Sequence, residues 1–369
     1  MKKSAFVLVF LIALVFLVIP VGGRSADNTS DSGSVILTTD HKFSPTDEAL
    51  AEVRRQIINS YTPKNNEPPV LLDRSLDSKK RPTKVVAFTD NSLHRKLSAH
   101  SAIVLDARTG EEIYAHNPDR PGQPASTIKV LTSLIAIDYL KNNSLVPVSS
   151  WAASMPRSKI YLKPGKSYYA DDLINAVLLA SANDASVALA EKIAGSESGF
   201  AKLMTQKARE LGASRTICKT ASGLTAKGQQ TTARDLALIF KEAMSSQEFS
   251  SRVKLIRTKT SYGKTLRNHN KALWQISGAQ GGKTGYTWAA KQTYVGKFTR
   301  DGEEILVAVL GSRNMWNDIA KLVDYGFSRK EQLRIAAARE NDTTIAAEEN
   351  TPAQPALVVL TDSKKAASL

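Results

Sequence analysis

The sequence predicts an α+β fold: an antiparallel sheet flanked by helices, with a helical subdomain. Three observations carry that prediction. Short apolar runs with turn residues between them lie at the start and the end of one patterned region, apolar residues recur at helical spacing in its middle, and the chain on either side is too polar to build a second core. Strands that come first and last in a domain pair when the first lie beside the last. The helices between them must then cover that sheet and supply a second layer.

The elements follow in order. Met1-Lys2-Lys3 puts positive charge ahead of an almost unbroken apolar run from Ala5 to Val21, and the polar run Arg24-Ser25-Ala26-Asp27-Asn28 follows, which is the layout of an export signal. Gly22, Gly23, Ser25 and Ala26 offer small side chains for cleavage, but Arg24 interrupts the small-x-small pattern, so residues 1–26 read as a signal peptide or an N-terminal anchor. Residues 27–91 read as a flexible linker rich in Ser, Thr, Asp, Asn, Pro and Lys, with one short helical pattern near Pro45 to Asn59. Ala102 to Leu105 and Glu112 to His116 then form a hairpin about the turn Asp106-Ala-Arg-Thr-Gly110.

From Ser126 to Asp138 the period becomes helical, with Ile128, Leu131, Ile135 and Tyr139 on one face. Further helices are expected over Asp171 to Leu179, Asp184 to Ile193, Ser198 to Leu211 with its stop at Gly212, and Thr232 to Met244. Strands return at Lys254 to Thr260, Gly282 to Thr287, Gln292 to Arg300 and Ile305 to Gly311, and a helix from about Trp316 to Tyr325 closes a domain bounded as 92–330. Residues 331–369 read as a short helical continuation and then a disordered tail.

Lys and Arg number 50 against 35 Asp and Glu, a net charge of +15. Nucleic acid is the usual partner of so basic a chain, but an exported protein rarely meets it; anionic lipid, an anionic wall polymer, or a solvated basic surface with no specific partner fits the same charge. One cysteine, Cys218, excludes an internal disulfide framework, and the five histidines show no metal-ligand spacing, so neither metal nor cofactor is expected.

Three clusters bear chemistry. In Pro124-Ala-Ser-Thr-Ile-Lys129, Ser126 stands at the first turn of a helix and Lys129 lies one turn on along the same face; a lysine whose pKa is brought down by burial can take the serine proton. Ser181-Ala-Asn183 falls in the break between two apolar helices, where the hydroxyl could relay a proton and the amide hold a carbonyl. Gly281-Gly-Lys-Thr-Gly-Tyr-Thr287 opens a strand: Gly285 lets a ligand approach the backbone, Lys283 supplies a positive field and Thr284 a hydroxyl for a carboxylate. Each cluster alone has a bland reading, as a helix cap, a pair of caps, or a glycine-rich hairpin end.

The order Ser-x-x-Lys, Ser-x-Asn, Lys-Thr-Gly, spaced by 55 residues and then by about 100, is the signature of active-site serine penicillin-recognising enzymes. With Leu162-Lys-Pro-Gly165, Leu178-Leu-Ala-Ser-Ala-Asn-Asp-Ala185, Ala208-Arg-Glu-Leu-Gly212, Ala221-Ser-Gly-Leu224, Thr232-Ala-Arg-Asp-Leu236 and Tyr325-Gly-Phe327, the chain resembles the low-molecular-weight D-alanyl-D-alanine carboxypeptidases from about Ala99 to Phe327. The resemblance implies a β-lactamase/transpeptidase-like catalytic domain, and a bacterial protein of the periplasm or the outer face of the cytoplasmic membrane, attached to that membrane, if at all, through its N-terminal segment. It implies peptidoglycan stem peptides as substrates and β-lactams as acylating inhibitors. By the same resemblance Ser126 is the nucleophile, Lys129 its base, Ser181 a proton relay and Asn183 a substrate contact. Lys283 and Thr284 hold the terminal carboxylate, and the backbone N–H groups of Ser126 and Tyr286 form the oxyanion hole.

A β-lactamase would need an extra glutamate beyond the Ser-x-Asn element, and Leu211 to Lys241 contains none, only Asp235. The chain departs from the family pattern at Gly281, where an acidic residue is usual, at Ala289-Ala290-Lys291, and in having no counterpart of the usual carboxy-terminal β domain and amphipathic helix. Counting back from Tyr325-Gly-Phe327 puts the family's carboxylate-binding arginine at Met315, with Arg313 the nearby candidate to replace it. Cleavage of cross-linked peptides by a D,D-endopeptidase, or slow wall binding on the same fold, are the competing functions.

Overall fold

The computed structural model describes residues 91–349. The expectations for residues 1–26, for the linker and its Pro45–Asn59 pattern, and for residues 350–369 lie outside the described residues.

Five antiparallel strands make the main sheet. β1 (Ser101–Asp106) and β2 (Glu112–His116) form the predicted hairpin, and β7 (Ala279–Thr287), β8 (Lys291–Arg300) and β9 (Glu303–Ser312) form a meander. The order β2-β1-β9-β8-β7 sets the first strands beside the last and leaves β7 at an edge. Strand alternation sends Ile103, Leu105, Leu306, Ala308 and Leu310 to one face and Ala102, Val104, Ile305, Val307 and Val309 to the other. Both faces are covered, which is why these strands read as unbroken apolar runs.

On the second face lie α1 (Asn91–Lys96) and the closing helix α10 (Met315–Glu349), through Leu93, Ile319, Leu322 and Val323. On the first face and beyond it lies the helical subdomain: a 3-10 turn (Ala125–Ile128) leads into α2 (Lys129–Tyr139), and α3 (Ser150–Ser154), α4 (Ala170–Leu178), α5 (Asn183–Ala194), α6 (Glu197–Glu210), α7 (Ala233–Ser245) and α8 (Gln247–Val253) follow. Local chemistry sets several bounds. Ser196, Thr232 and Ser246 accept the N–H of Gly199, Asp235 and Phe249 as N-caps, and Gly195 ends α5 at φ +72°. Asp235 also accepts from Arg215 N–H at 2.9 Å and Thr216 Oγ1 at 2.7 Å, so the one acid between Leu211 and Lys241 is occupied in holding the fold.

The sequence reading needs two corrections here. The strand expected over Lys254–Thr260 shrinks to β5 (Arg257–Lys259), paired with β6 (Thr265–Arg267) in a hairpin apart from the main sheet, because the segment before it is α8, which buries Phe249 and Val253. The closing helix continues through Glu349, well past the short helical continuation expected beyond Lys330. Residues 331–338 are exposed; Ala, Arg, Glu, Gln and Leu hold helix by intrinsic preference where no core requires it. Besides α1, α3, α8 and β6, the short elements β3 (Leu145–Pro147), which pairs with β4 (Ser167–Tyr169), and α9 (Ala272–Gln275) have no clear sequence signal. Each is too short for a period to show.

Candidate active site

A cleft of about 390 Å³ opens between the edge strand β7 and the helical subdomain, lined by Ser126, Ser181, Asn183, Thr284, Gly285 and Tyr286 among others. Ser126 sits in the 3-10 turn rather than in the helix proper, and Lys129 is the first residue of α2. Lys129 is fully buried, and its Nζ lies 2.8 Å from Ser126 Oγ, 2.7 Å from Asn183 Oδ1 and 2.5 Å from the Ser222 carbonyl. Nζ donates to all three oxygens; once the amine is neutral, two N–H groups suffice for the amide oxygen and the carbonyl, and the lone pair is left for the serine hydroxyl. Burial pushes the Lys129 pKa well down, and the Lys283 ammonium pushes it the same way, against weaker pulls from Asp184 and Glu197.

The second lysine stands on β7. Lys283 Nζ donates to Ser181 Oγ at 2.9 Å and to the Thr284 carbonyl at 3.1 Å, and burial brings its pKa down to about 7. Ser181 thus meets the β7 lysine from the loop that delivers Asn183, a partner of Lys129, to the head of α5. The Asn183 side chain is held at both ends, since its Nδ2 donates to the Pro156 carbonyl at 2.9 Å. The pieces close in tightly: a Cβ on Gly285 would stand 2.7 Å from Ser126 N and 2.4 Å from Thr293 Oγ1, and one on Gly223 would meet the Ala125 carbonyl at 1.9 Å. Ala125 and Ser181 both take left-handed backbone, at φ +49° and +56°, at a cost of about 1 kcal/mol or more each. Thr127 and Thr293 hydroxyls both donate to the Pro124 carbonyl, fixing the turn before Ser126 to its own helix and to β8.

The structure thus brings together Ser126, Lys129, Ser181, Asn183, Lys283, Thr284, Gly285 and Tyr286. Arg313 is the exception. It is exposed, lies outside the residues that line the cleft, and its backbone N–H donates to Ser98 Oγ at 3.1 Å, because the end of β9 turns it away. Met315, the first residue of α10, lines the cleft instead and is almost fully buried. Gly281 also has a reason: at φ +147° beside a bulge in β7, a Cβ there would stand 2.6 Å from Val253 Cγ1.

Sequence reasoning missed the Ser222 carbonyl as a partner of Lys129, although Ala221-Ser-Gly-Leu224 had been singled out. It also missed Arg157, Ser158 and His269 in the cleft lining, which no local motif flags. Burial and the two lysines bring the His269 pKa down to about 4, so its imidazole is neutral at ordinary pH.

Residues 87–314 match the family model of the D-alanyl-D-alanine carboxypeptidases of peptidase family S11. The chain belongs to that family. Among its relatives, the D-alanyl-D-alanine carboxypeptidase DacB2 of Mycobacterium tuberculosis is 34% identical over 250 residues, covering 65% of this chain and 86% of the relative. The D-alanyl-D-alanine carboxypeptidase DacF of Bacillus subtilis is 33% identical over 252 residues, and there the match covers 63% of each chain. Against some relatives, then, the chain spans less than two thirds of their length. Of the solved structures, the Mycobacterium tuberculosis D-alanyl-D-alanine carboxypeptidase superposes with a TM-score of 0.60 at 34% identity, covering 63% of this chain and 91% of that one. The ampicillin-bound penicillin-binding protein D2 of Listeria monocytogenes gives 0.58 at 28% identity, covering 63% and 98%. The family fold is the α+β catalytic domain described above.

Proposed function

We propose that this protein is a serine-type D-alanyl-D-alanine carboxypeptidase of peptidoglycan stem peptides, open to acylation by β-lactams. One observation carries the reading: the buried Lys129 Nζ, hydrogen-bonded to two carbonyl oxygens, lies 2.8 Å from Ser126 Oγ, within reach of its proton. Ser126 gives its proton to Lys129 as Oγ attacks the carbonyl between the last two D-alanines. The oxyanion points at the backbone N–H groups of Ser126 and Tyr286, each such donor contributing roughly 3 kcal/mol. The C–N bond then breaks, a proton reaches the leaving amine through Ser181, and D-alanine departs. Water, deprotonated by Lys129, cleaves the ester and restores the serine. Lys283 and Thr284 hold the terminal carboxylate of the substrate, which pairs as an added strand along the free edge of β7.

The test uses the protein with a stem pentapeptide and a labelled penicillin, with Ser126→Ala as control. Release of D-alanine and a covalent label on Ser126, both absent in the variant, are the expected results; label or turnover that survives in Ser126→Ala would overturn the assignment of the nucleophile. A D,D-endopeptidase is the second reading, favoured by Met315 in the cleft wall where the family arginine falls and by the outward position of Arg313. Loss of a cross-linked muropeptide dimer, measured beside D-alanine release, separates the two. We also propose export through residues 1–26, to the periplasm or the outer face of the cytoplasmic membrane, with attachment to that membrane wherever the segment is retained; the mass of the exported protein tests it.

A further inference from the structure

Arg157 has no part in the chemistry above, yet it lines the same cleft as Ser126. Its setting is built, not incidental. The buried Asp184 carboxylate, directly after Asn183, accepts the N–H groups of Ile160 and Leu162, each at 3.1 Å, and Asn183 N–H donates to the Ser158 carbonyl at 2.7 Å. The loop that carries Arg157 is therefore pinned to the helix end that carries Asn183. Between Ile160 and Leu162, Tyr161 takes φ +62°, and its half-exposed side chain stands over the loop, where its hydroxyl accepts from Arg157 Nε at 3.0 Å. Lys159 and Lys264 place their ammonium groups 5.6 and 5.3 Å from the Tyr161 ring centroid. Three cations thus converge on one tyrosine beside the cleft, and among the described residues no carboxylate pairs with Arg157. Its Nε is occupied by Tyr161, and its Nη groups are left to receive an anion, with a planar geometry that matches a carboxylate.

We propose that Arg157 determines specificity by binding a free carboxylate on the residue that precedes the D-alanyl-D-alanine end of the substrate. The inference rests on the peptidase reading and deepens it. The terminal carboxylate belongs to the Lys283–Thr284 side of the cleft, whereas Arg157 belongs to the Asn183 wall, which meets the acyl half of the donor. The occupant is thus a second, side-chain carboxylate, and a substrate amidated at that position loses the contact.

The experiment uses two N-acetylated tripeptides ending in D-alanyl-D-alanine, whose first residue carries a long side chain ending in a carboxylate or in the matching carboxamide. Release of D-alanine is followed for the wild-type chain, Arg157→Gln and Arg157→Lys, with penicillin labelling of Ser126 reporting that each variant is folded. The wild type should favour the carboxylate by about tenfold in kcat/KM, discounted for the exposure of the site. Arg157→Gln should bring the two peptides level, Arg157→Lys should keep part of the preference, and raised salt should shrink it in the wild type. Equal turnover of both peptides by the wild type, or a preference that survives in Arg157→Gln, overturns the inference and leaves the peptidase reading intact. No D-alanine from either peptide overturns both.

Discussion

The floor and the rim of the cleft are built on opposite principles. On the floor, Lys129, Asn183, Lys283 and Ser181 are all but inaccessible to water, and each makes side-chain hydrogen bonds to the others or to a backbone carbonyl. On the rim, Arg157 and Tyr286 are exposed, as are their neighbours Tyr161 and Trp288; Trp288 keeps 82% of its full accessibility, edge-on to Tyr286 and under the Lys291 ammonium. Burial sets proton affinities and so decides what reaction can occur. Exposure leaves groups free to meet a ligand and so decides which molecule is offered to it. Changes on the floor should therefore alter rate and stability together, and changes on the rim should alter preference.

The largest expected effect breaks the floor. Lys283→Met should lower acylation by about a thousandfold, since it removes the donor to Ser181 and, in the proposed mechanism, the charge that holds the substrate carboxylate. The same substitution should change stability in a defined pH window. The folded pKa of Lys283 is about 7 and its unfolded value is 10.5, so between these the unfolded chain holds the extra proton, and stability contributed by this group rises with pH and is lost as pH falls toward 7. Thermal unfolding of the wild type should show that rise, and the variant should lack this part of it. The rate profile follows from the same pair. Acylation needs Lys129 neutral and Lys283 charged, so it should climb as the coupled pair first loses a proton and decline as pH passes upward through about 7. A rate that keeps climbing to pH 10 would show that the Lys283 charge is not required.

A smaller effect tests the fit between floor and edge strand. Gly285→Ala puts a methyl carbon 2.7 Å from Ser126 N and 2.4 Å from Thr293 Oγ1, so β7 must move away from the nucleophile's turn. A shift of about 1 Å at the oxyanion site should lower acylation by roughly a hundredfold. Circular dichroism should stay native, because β7 is an edge strand and the displacement can be taken up there. Unchanged acylation would mean that the two backbone donors tolerate the shift.

The same division explains what could be read in advance. The main sheet, the buried helices and the floor residues were legible because each is written in a local pattern: apolar alternation for β1 and β9, helical spacing for α2, and three short motifs for Ser126, Ser181 and Lys283. The rim was not, because exposed positions carry no hydrophobic period and their relation to the cleft exists only in three dimensions. Arg157 approaches Ser126 through the Asn183 and Asp184 contacts, and Arg313 leaves the cleft through the turn at the end of β9. The overlong α10 has the same root: residues 331–338 are exposed, so propensity and not packing sustains the helix there.

The smallest expected effect lies where the rim meets the floor. Met315 is 5% exposed, lines the cleft, and its backbone N–H donates to Gln292 Oε1 at 2.9 Å, so a longer side chain at this position can reach the cleft without moving the backbone. Met315→Arg should raise the ratio of D-alanine release to cross-link cleavage, because a guanidinium there favours a substrate that ends in a carboxylate over one that continues into a second peptide. The gain is held to about threefold by two opposing terms. Met315 opens α10, where the macrodipole disfavours a cation, and burying a new charge without a protein partner costs part of what the ligand contact returns. Equal changes in both activities would mean that Met315 shapes the wall of the cleft without selecting which peptide end enters it.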